Sequence, residues 1–321
     1  MTFFELICQQ LINGLTLGSV IALIALGYTM VYGIIQLINF AHGDLYMLGT
    51  FFALTLVAGL PATVFNNYFF LFLILVGVLL FTSFFTATVN FSIEKLVYKP
   101  LRRAPRLTLL VSAIGVSFIL QNIGLFWGGL PLDLMGNSAA APKSFPDLIP
   151  KINLLPLLGL ETMVRFSLKD LVVILVTFPL MSGLYLFVKY TRHGIAMRAT
   201  AQDPLVASLM GIDTNRIISL TFVIGGFLAG SAGLISGLYF NRVEFTMGYT
   251  AGLKAFTAAV LGGIGNIPGA MLGGLLLGIC SVFSDQFLSA QWTNAVVFGI
   301  LILILIFRPA GLLGKTVKEK V

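Results

Sequence analysis

Long apolar runs separated by short polar breaks dominate this chain. Residues 6–35, 45–60, 68–91, 107–127, 171–188, 217–240 and 292–307 read as runs of mostly apolar side chains, and residues 251–281 form one more that is interrupted. Several reach the ~20 residues of helix that cross a bilayer. The pattern predicts an all-α polytopic membrane bundle of about eight transmembrane segments, with two interrupted or re-entrant regions. We read residues 1–321 as a single transmembrane domain.

The first interruption places Gln36, Asn39, His42 and Asp44 between two apolar runs with almost no loop. It is either a tight interfacial turn or a broken segment at membrane depth, where irregular backbone survives only if buried in protein or facing a wet cavity. The second interruption is Gly262-Gly-Ile-Gly265-Asn-Ile-Pro268-Gly269. The apolar residues before it, about 11, make roughly 17 Å of helix, too short for a ~30 Å hydrocarbon core. A helical hairpin or broken helix is expected there. Paired interruptions predict two related halves with a pathway at their interface. Its candidates are Asn39, His42, Asp44, Lys254, Gly265 and Asn266, although each can equally serve to satisfy broken-helix backbone groups. His42 beside Asp44 also admits a proton-relay reading. Gly14 and Gly18 on one segment, and Gly226, Gly230, Gly233 and Gly237 on another, predict helix faces that allow close packing.

Composition agrees with this reading: 58% of residues are hydrophobic, 10% are charged and the mean hydropathy is +1.01, against about 25% charge in soluble domains. Charge then sets the orientation. Residues 94–106 (EKLVYKPLRRAPR) carry five cations against one acid, residues 189–216 carry four, and the tail 308–321 carries Arg308, Lys315, Lys318 and Lys320. Excess Lys and Arg mark cytoplasmic loops, so all three segments, including the C-terminus, are placed inside. The side of the N-terminus stays open. Residues 128–169 are proline-rich, and Lys143, Lys151, Arg165 and Lys169 balance Asp133, Asp147, Glu161 and Asp170. That is an external loop, serving either as a landing surface for a partner or as a cap on the outer mouth. The first apolar run lacks the basic flank and short core of a signal peptide, so it is expected to be retained. Cys8 and Cys280 read as small hydrophobes, not as a disulfide or metal pair.

Within the second basic segment lies a polar island, residues 198–211 (RATAQDPLVASLMG). Asp203 can cap a first turn, Pro204 suits the first helical position, and Gly211 can end a helix in the left-handed conformation. Leu205, Val206, Leu209 and Met210 then form one apolar stripe. So short a helix does not persist alone in water. The stripe either packs on a soluble partner or rests on the bilayer surface. No phosphate-binding, metalloprotease or nucleophile-elbow motif occurs, so the chain does not read as an enzyme. No basic stripe interleaved with aromatics suggests nucleic-acid binding. The few candidate intramembrane charges are His42, Asp44, Lys254 and Asp285, too few for a proton-driven pump. Energy is therefore expected from elsewhere.

Residues 34–49 (IIQLINFAHGDLYMLG), residues 198–211 and residues 258–274 (AAVLGGIGNIPGAMLGG) resemble the inner-membrane permease of high-affinity branched-chain amino-acid ABC importers, and more narrowly its shorter, H-type subunit. The resemblance runs over nearly the whole chain. It implies a partnership with a second, related permease, two cytoplasmic ATPase subunits that bind the ATP, and a periplasmic binding protein that delivers leucine, isoleucine or valine. This chain would itself hold no cofactor or metal. It further implies that the segment with Arg198, Ala199, Asp203, Pro204, Leu205, Leu209 and Gly211 couples to the ATPase, although Arg198-Ala-Thr-Ala201 departs from the Glu-Ala-Ala opening of the general importer motif. Related permeases carry urea or short amides. The alternative from another class is a stand-alone carrier or channel with His42 and Asp44 as its ion site. A carrier moves leucine down a gradient as an isolated chain, whereas an ABC permease is inert alone.

Overall fold

The computed structural model describes residues 2–36, 39–60, 68–102, 104–131, 136, 138–156, 159 and 162–314. Pro61, Asn66, Asn67, Arg103, Asp133, Glu161 and the tail lysines 315, 318 and 320 lie outside these residues. The helices run α1 (Phe3–Ile35), α2 (His42–Ala58), α3 (Tyr68–Ile93), α4 (Lys99–Leu101), α5 (Arg106–Gly128), α6 (Leu168–Tyr190), α7 (Arg192–Gln202), α8 (Pro204–Leu209), α9 (Thr214–Phe240), α10 (Met247–Gly262), α11 (Ile267–Phe287) and α12 (Thr293–Phe307). A two-stranded ribbon pairs β1 (Lys143–Ser144) with β2 (Arg242–Val243) in antiparallel register.

The bundle is a polytopic helical membrane protein. Among the described residues six helical stretches are long and apolar enough to span: α1, the continuous stretch Phe69–Leu101, α5, α6, α9 and α11. α2, α10 and α12, at 17, 16 and 15 residues, are shorter. Six spanning helices and three short ones thus stand where the apolar runs suggested about eight segments.

α1 and α9 form the centre and are buried on nearly every side, as expected of helices that are hydrophobic all round. α1 lies along α11 and α9 along α3. Gly14 and Gly18 bring α1 onto the backbone of Ile279 and Leu275, while Gly226 and Gly230 bring α9 onto Ala87 and Ser83. The glycine ladder of α9 serves more than one neighbour: Gly233 lies against Tyr46 and Thr50 of α2, and Gly237 against Phe145.

Two expected loops are shorter than the pattern suggested, because helix extends into each. Residues 94–101 prolong α3 through a π turn, Glu94–Tyr98, into α4. The reason is a buried ion pair: Glu94 is fully buried, bonds to Arg102 and accepts from the Ser219 hydroxyl at 2.8 Å. At the other end of the bundle, Lys169 and Asp170 belong to α6 and not to the loop before it, because Ser167 and Asp170 form a reciprocal capping box there. Lys169 reaches back to Asp147 at 2.6 Å and to Asn241 at 2.5 Å.

The pairing of the two interruptions is corrected by the structure. α1 ends on Gln36 (φ 52°, ψ 33°) and α9 ends on Asn241 (φ 53°, ψ 27°), both left-handed. Six residues later each chain starts a new helix, α2 at His42 and α10 at Met247, with a glycine in its second position. Gly43 and Gly248 face each other: a Cβ on Gly248 would lie 2.9 Å from the Gly43 carbonyl oxygen. Residues 36–41 are therefore the counterpart of residues 241–246, and the N-termini of α2 and α10 abut inside the bundle. Residues 262–269 are instead the turn between α10 and α11. Tyr249 lies in the first turn of α10.

Candidate functional site

α7 and α8 sit at the end of the bundle that carries the basic segments. Thr191 caps α7, and the Ala199 carbonyl near its end accepts from the Asp203 backbone N–H at 3.2 Å. Asp203 is extended, which turns the chain, and its Oδ1 accepts from the N–H groups of Leu205 (2.8 Å) and Val206 (3.0 Å). Pro204 occupies the first helical position. Gly211 takes φ +85°, a conformation that costs glycine nothing, and the Ile212 N–H then closes onto the Ala207 carbonyl at 3.1 Å. Ala207 is buried on the inner side, whereas Leu205, Leu209 and Met210 are 71%, 78% and 79% exposed. Arg198 donates to the Lys189 carbonyl at 3.2 Å and lines a cavity of about 570 Å³ with Gly265 and Asn266.

The six pathway candidates occupy two levels. Asn39 is buried at the basic end, where its Oδ1 accepts from the Tyr98 hydroxyl at 2.7 Å. Gly265 and Asn266 are at that end as well. Gly265 (φ +88°) packs on Gly33. Asn266 caps α11 through Gly269 N–H and donates to the Leu313 carbonyl at 2.6 Å. These residues build the turn that holds the returning C-terminal segment.

His42, Asp44 and Lys254 lie deeper. The His42 ring is fully buried between Gly27 of α1 and Gly225 of α9, edge-on to Tyr28 with ring centroids 4.9 Å apart. Asp44 is also fully buried, and no hydrogen bond joins it to His42. Its Oδ2 accepts from the Ser117 hydroxyl at 2.5 Å, and Gln121 donates to the Ser117 oxygen at 3.1 Å. Lys254 is half-buried on α10. Asp285 lies exposed at the end of α11, bonded to Thr293. Cys8 and Cys280 are both free, and no cluster among the described residues has metal-ligand character.

Sequence reasoning missed Ser117 and Gln121. The available signal was their i, i+4 spacing inside an apolar run, which places both on one face of α5. It also missed Glu94, read as one acid in a basic loop.

A sequence model of the family described as branched-chain amino-acid transport system, permease component, matches residues 10–306. The chain belongs to this family. The permease is 44% identical over 318 residues to the high-affinity branched-chain amino-acid transport system permease protein BraD of Pseudomonas aeruginosa, covering 98% of this chain and 97% of that one. It is 42% identical over 321 residues to the corresponding protein LivH of Escherichia coli K12, with the same coverage. A probable permease protein LivH from Methanocaldococcus jannaschii is 30% identical over 308 residues, covering 92% of this chain and 89% of its own. Permeases of this kind are membrane components of multi-subunit transport systems, and the helical architecture here is of that type.

Proposed function

We propose that this permease is the membrane subunit of an ATP-driven importer for leucine, isoleucine and valine, set in the bacterial inner membrane with its basic end in the cytoplasm. The observation that carries this reading is the exposed stripe on α8. Three large apolar side chains, Leu205, Leu209 and Met210, stand more than 70% exposed on a helix capped at its start and closed at its end. A rigid, greasy knob on a polar connection suits the groove of a soluble partner, where a few anchors carry most of the binding energy. The basic end faces the cytoplasm by the excess of Lys and Arg there, which puts α8 on the side where ATP is available.

The complete assembly on this reading has a second, related permease, two cytoplasmic ATPase subunits and a periplasmic amino-acid-binding protein. ATP is bound by the ATPase subunits. Their closure pushes on α7 and α8, and the bundle alternates between states open to either side. Leu209→Asp should leave the bundle folded and lower ATP-driven leucine uptake by about tenfold or more, since a charge replaces an exposed apolar anchor that the partner would bury. Uptake at the wild-type rate in a normally assembled complex would remove the basis of the proposal. The isolated chain in proteoliposomes should show no gradient-driven leucine flux.

A further inference from the structure

A cavity of about 470 Å³ opens on the flank of the bundle between α5 and α10, where the two short helices abut. Ser117, on its wall, is the midpoint of α5, so the cavity lies about halfway along that helix. Phe40, Ile114, Phe118 and Leu253 give it apolar walls, and Gln121 and Tyr249 add polar groups. Behind Ser117 stands the Asp44 carboxylate. One of its oxygens takes the Ser117 hydroxyl, and the other, Oδ1, has no hydrogen-bond partner. No lysine, arginine or histidine among the described residues forms an ion pair with it.

We propose that this cavity is an intramembrane binding site for the α-amino acid in transit, with Ser117, Gln121 and Tyr249 as contact residues and Asp44 as the buried anion that favours the substrate's ammonium group. The proposal rests on the importer reading above. A carboxylate with no cationic side chain beside it inside a membrane protein is costly and usually marks a pathway, and a cationic group arriving in the cavity adds to the compensation that the first turn of α2 gives it. Beside it, the first turn of α10 has no side-chain cap, and its positive end favours a carboxylate. An anion next to a positive helix end is the complement of a zwitterion, whose charges are joined through one carbon. The aliphatic side chain of leucine, isoleucine or valine then meets the apolar walls. The volume falls within the range of small-molecule sites.

Two measurements on the assembled importer test this. In detergent without the binding protein, leucine should raise the melting temperature of the complex, whereas 4-methylpentanoate, which lacks the amine, should not. Gln121→Trp fills the cavity from a half-exposed position. It should abolish that shift and cut ATP-driven leucine uptake by about tenfold or more, in a complex that still assembles with all its subunits. Ser117→Ala should raise the KM for leucine more than it lowers kcat, and Asp44→Asn should weaken the preference for leucine over 4-methylpentanoate. A Gln121→Trp complex that imports leucine normally overturns the site, and so does equal stabilisation by the two compounds. If the wild-type complex itself imports no leucine, the importer reading fails instead.

Discussion

The chain turns back into the bundle twice, at residues 36–44 and at residues 241–249, with matching ends and different chemistry. Both turns leave a long central helix through a left-handed residue and start a short helix six residues on. In the first, Asn39, His42 and Asp44 are all buried. In the second, Met247 and Glu244 are half-buried and Tyr249 is 56% exposed. α2 is enclosed by α3, α5, α9 and α10, whereas α10 leaves one flank open. The repeated backbone supplies the scaffold, and the polar chemistry is concentrated in one copy. A pathway between two halves therefore need not use equivalent residues from each.

The sharpest test of that asymmetry is the cradle of His42, which has one glycine from each half. A methyl group on Gly27 would overlap the His42 imidazole, while one on Gly225 would sit at an ordinary 3.6 Å from it. Gly27→Ala should cost about 1–3 kcal/mol, as overpacking does. Gly225→Ala should be neutral or stabilise by up to ~1 kcal/mol through helix propensity. Thermal melts in detergent rank the two, and equal losses would mean that the halves are not distinguished at this point.

A smaller contrast separates the two left-handed caps. The Asn241 side chain donates to the Phe145 and Pro146 carbonyls at 3.1 and 3.3 Å and accepts from Lys169, whereas Gln36 is exposed. Asn241→Gly should cost about 1–3 kcal/mol in lost hydrogen bonds. Gln36→Gly should change stability by no more than ~1 kcal/mol, because relief of the left-handed backbone and the added freedom of glycine oppose each other. Matching melts for the two variants would break the comparison.

The smallest effect concerns the clamp on the second turn. The hydrogen bond from Lys169 holds the Asp147 carboxyl below the usual carboxylate range, aided by Lys151 and opposed by partial burial. A carboxyl lowered in the folded state contributes stability above its unfolded value of about 3.9 and loses it as pH falls through the lowered value. Asp147→Asn should therefore lower the melting temperature slightly at pH 7. The gap from wild type should narrow as pH drops below about 4.

Much of α8 was legible because its instructions are local. A capping Asp203, a proline at the first helical position and Gly211 at the end fix α8 within nine residues, and the structure reproduces those contacts. The central site was only partly legible. His42 and Asp44 stand out as polar residues in an apolar run, but the partners that define them, Gly27, Ser117 and Gly248, lie on three other helices. The Gly- and Pro-rich stretch at residues 262–269 looked like the counterpart of the first interruption because breaker residues are conspicuous. The true counterpart, residues 241–246, has neither glycine nor proline and is recognisable only from its left-handed start and its position.

Hydrophobic length and charge distribution by themselves determine that this chain is a many-span helical membrane protein with defined basic segments. Lipid admits no other backbone for such runs, and the cost of moving cations across them fixes a polarity. Which short helix meets which, and that a buried carboxylate ends behind the wall of a cavity on the bundle's flank, came only with the tertiary structure. Helix packing in an apolar medium is directed by close contact between small residues on distant segments, and one segment's pattern carries no address for its partner.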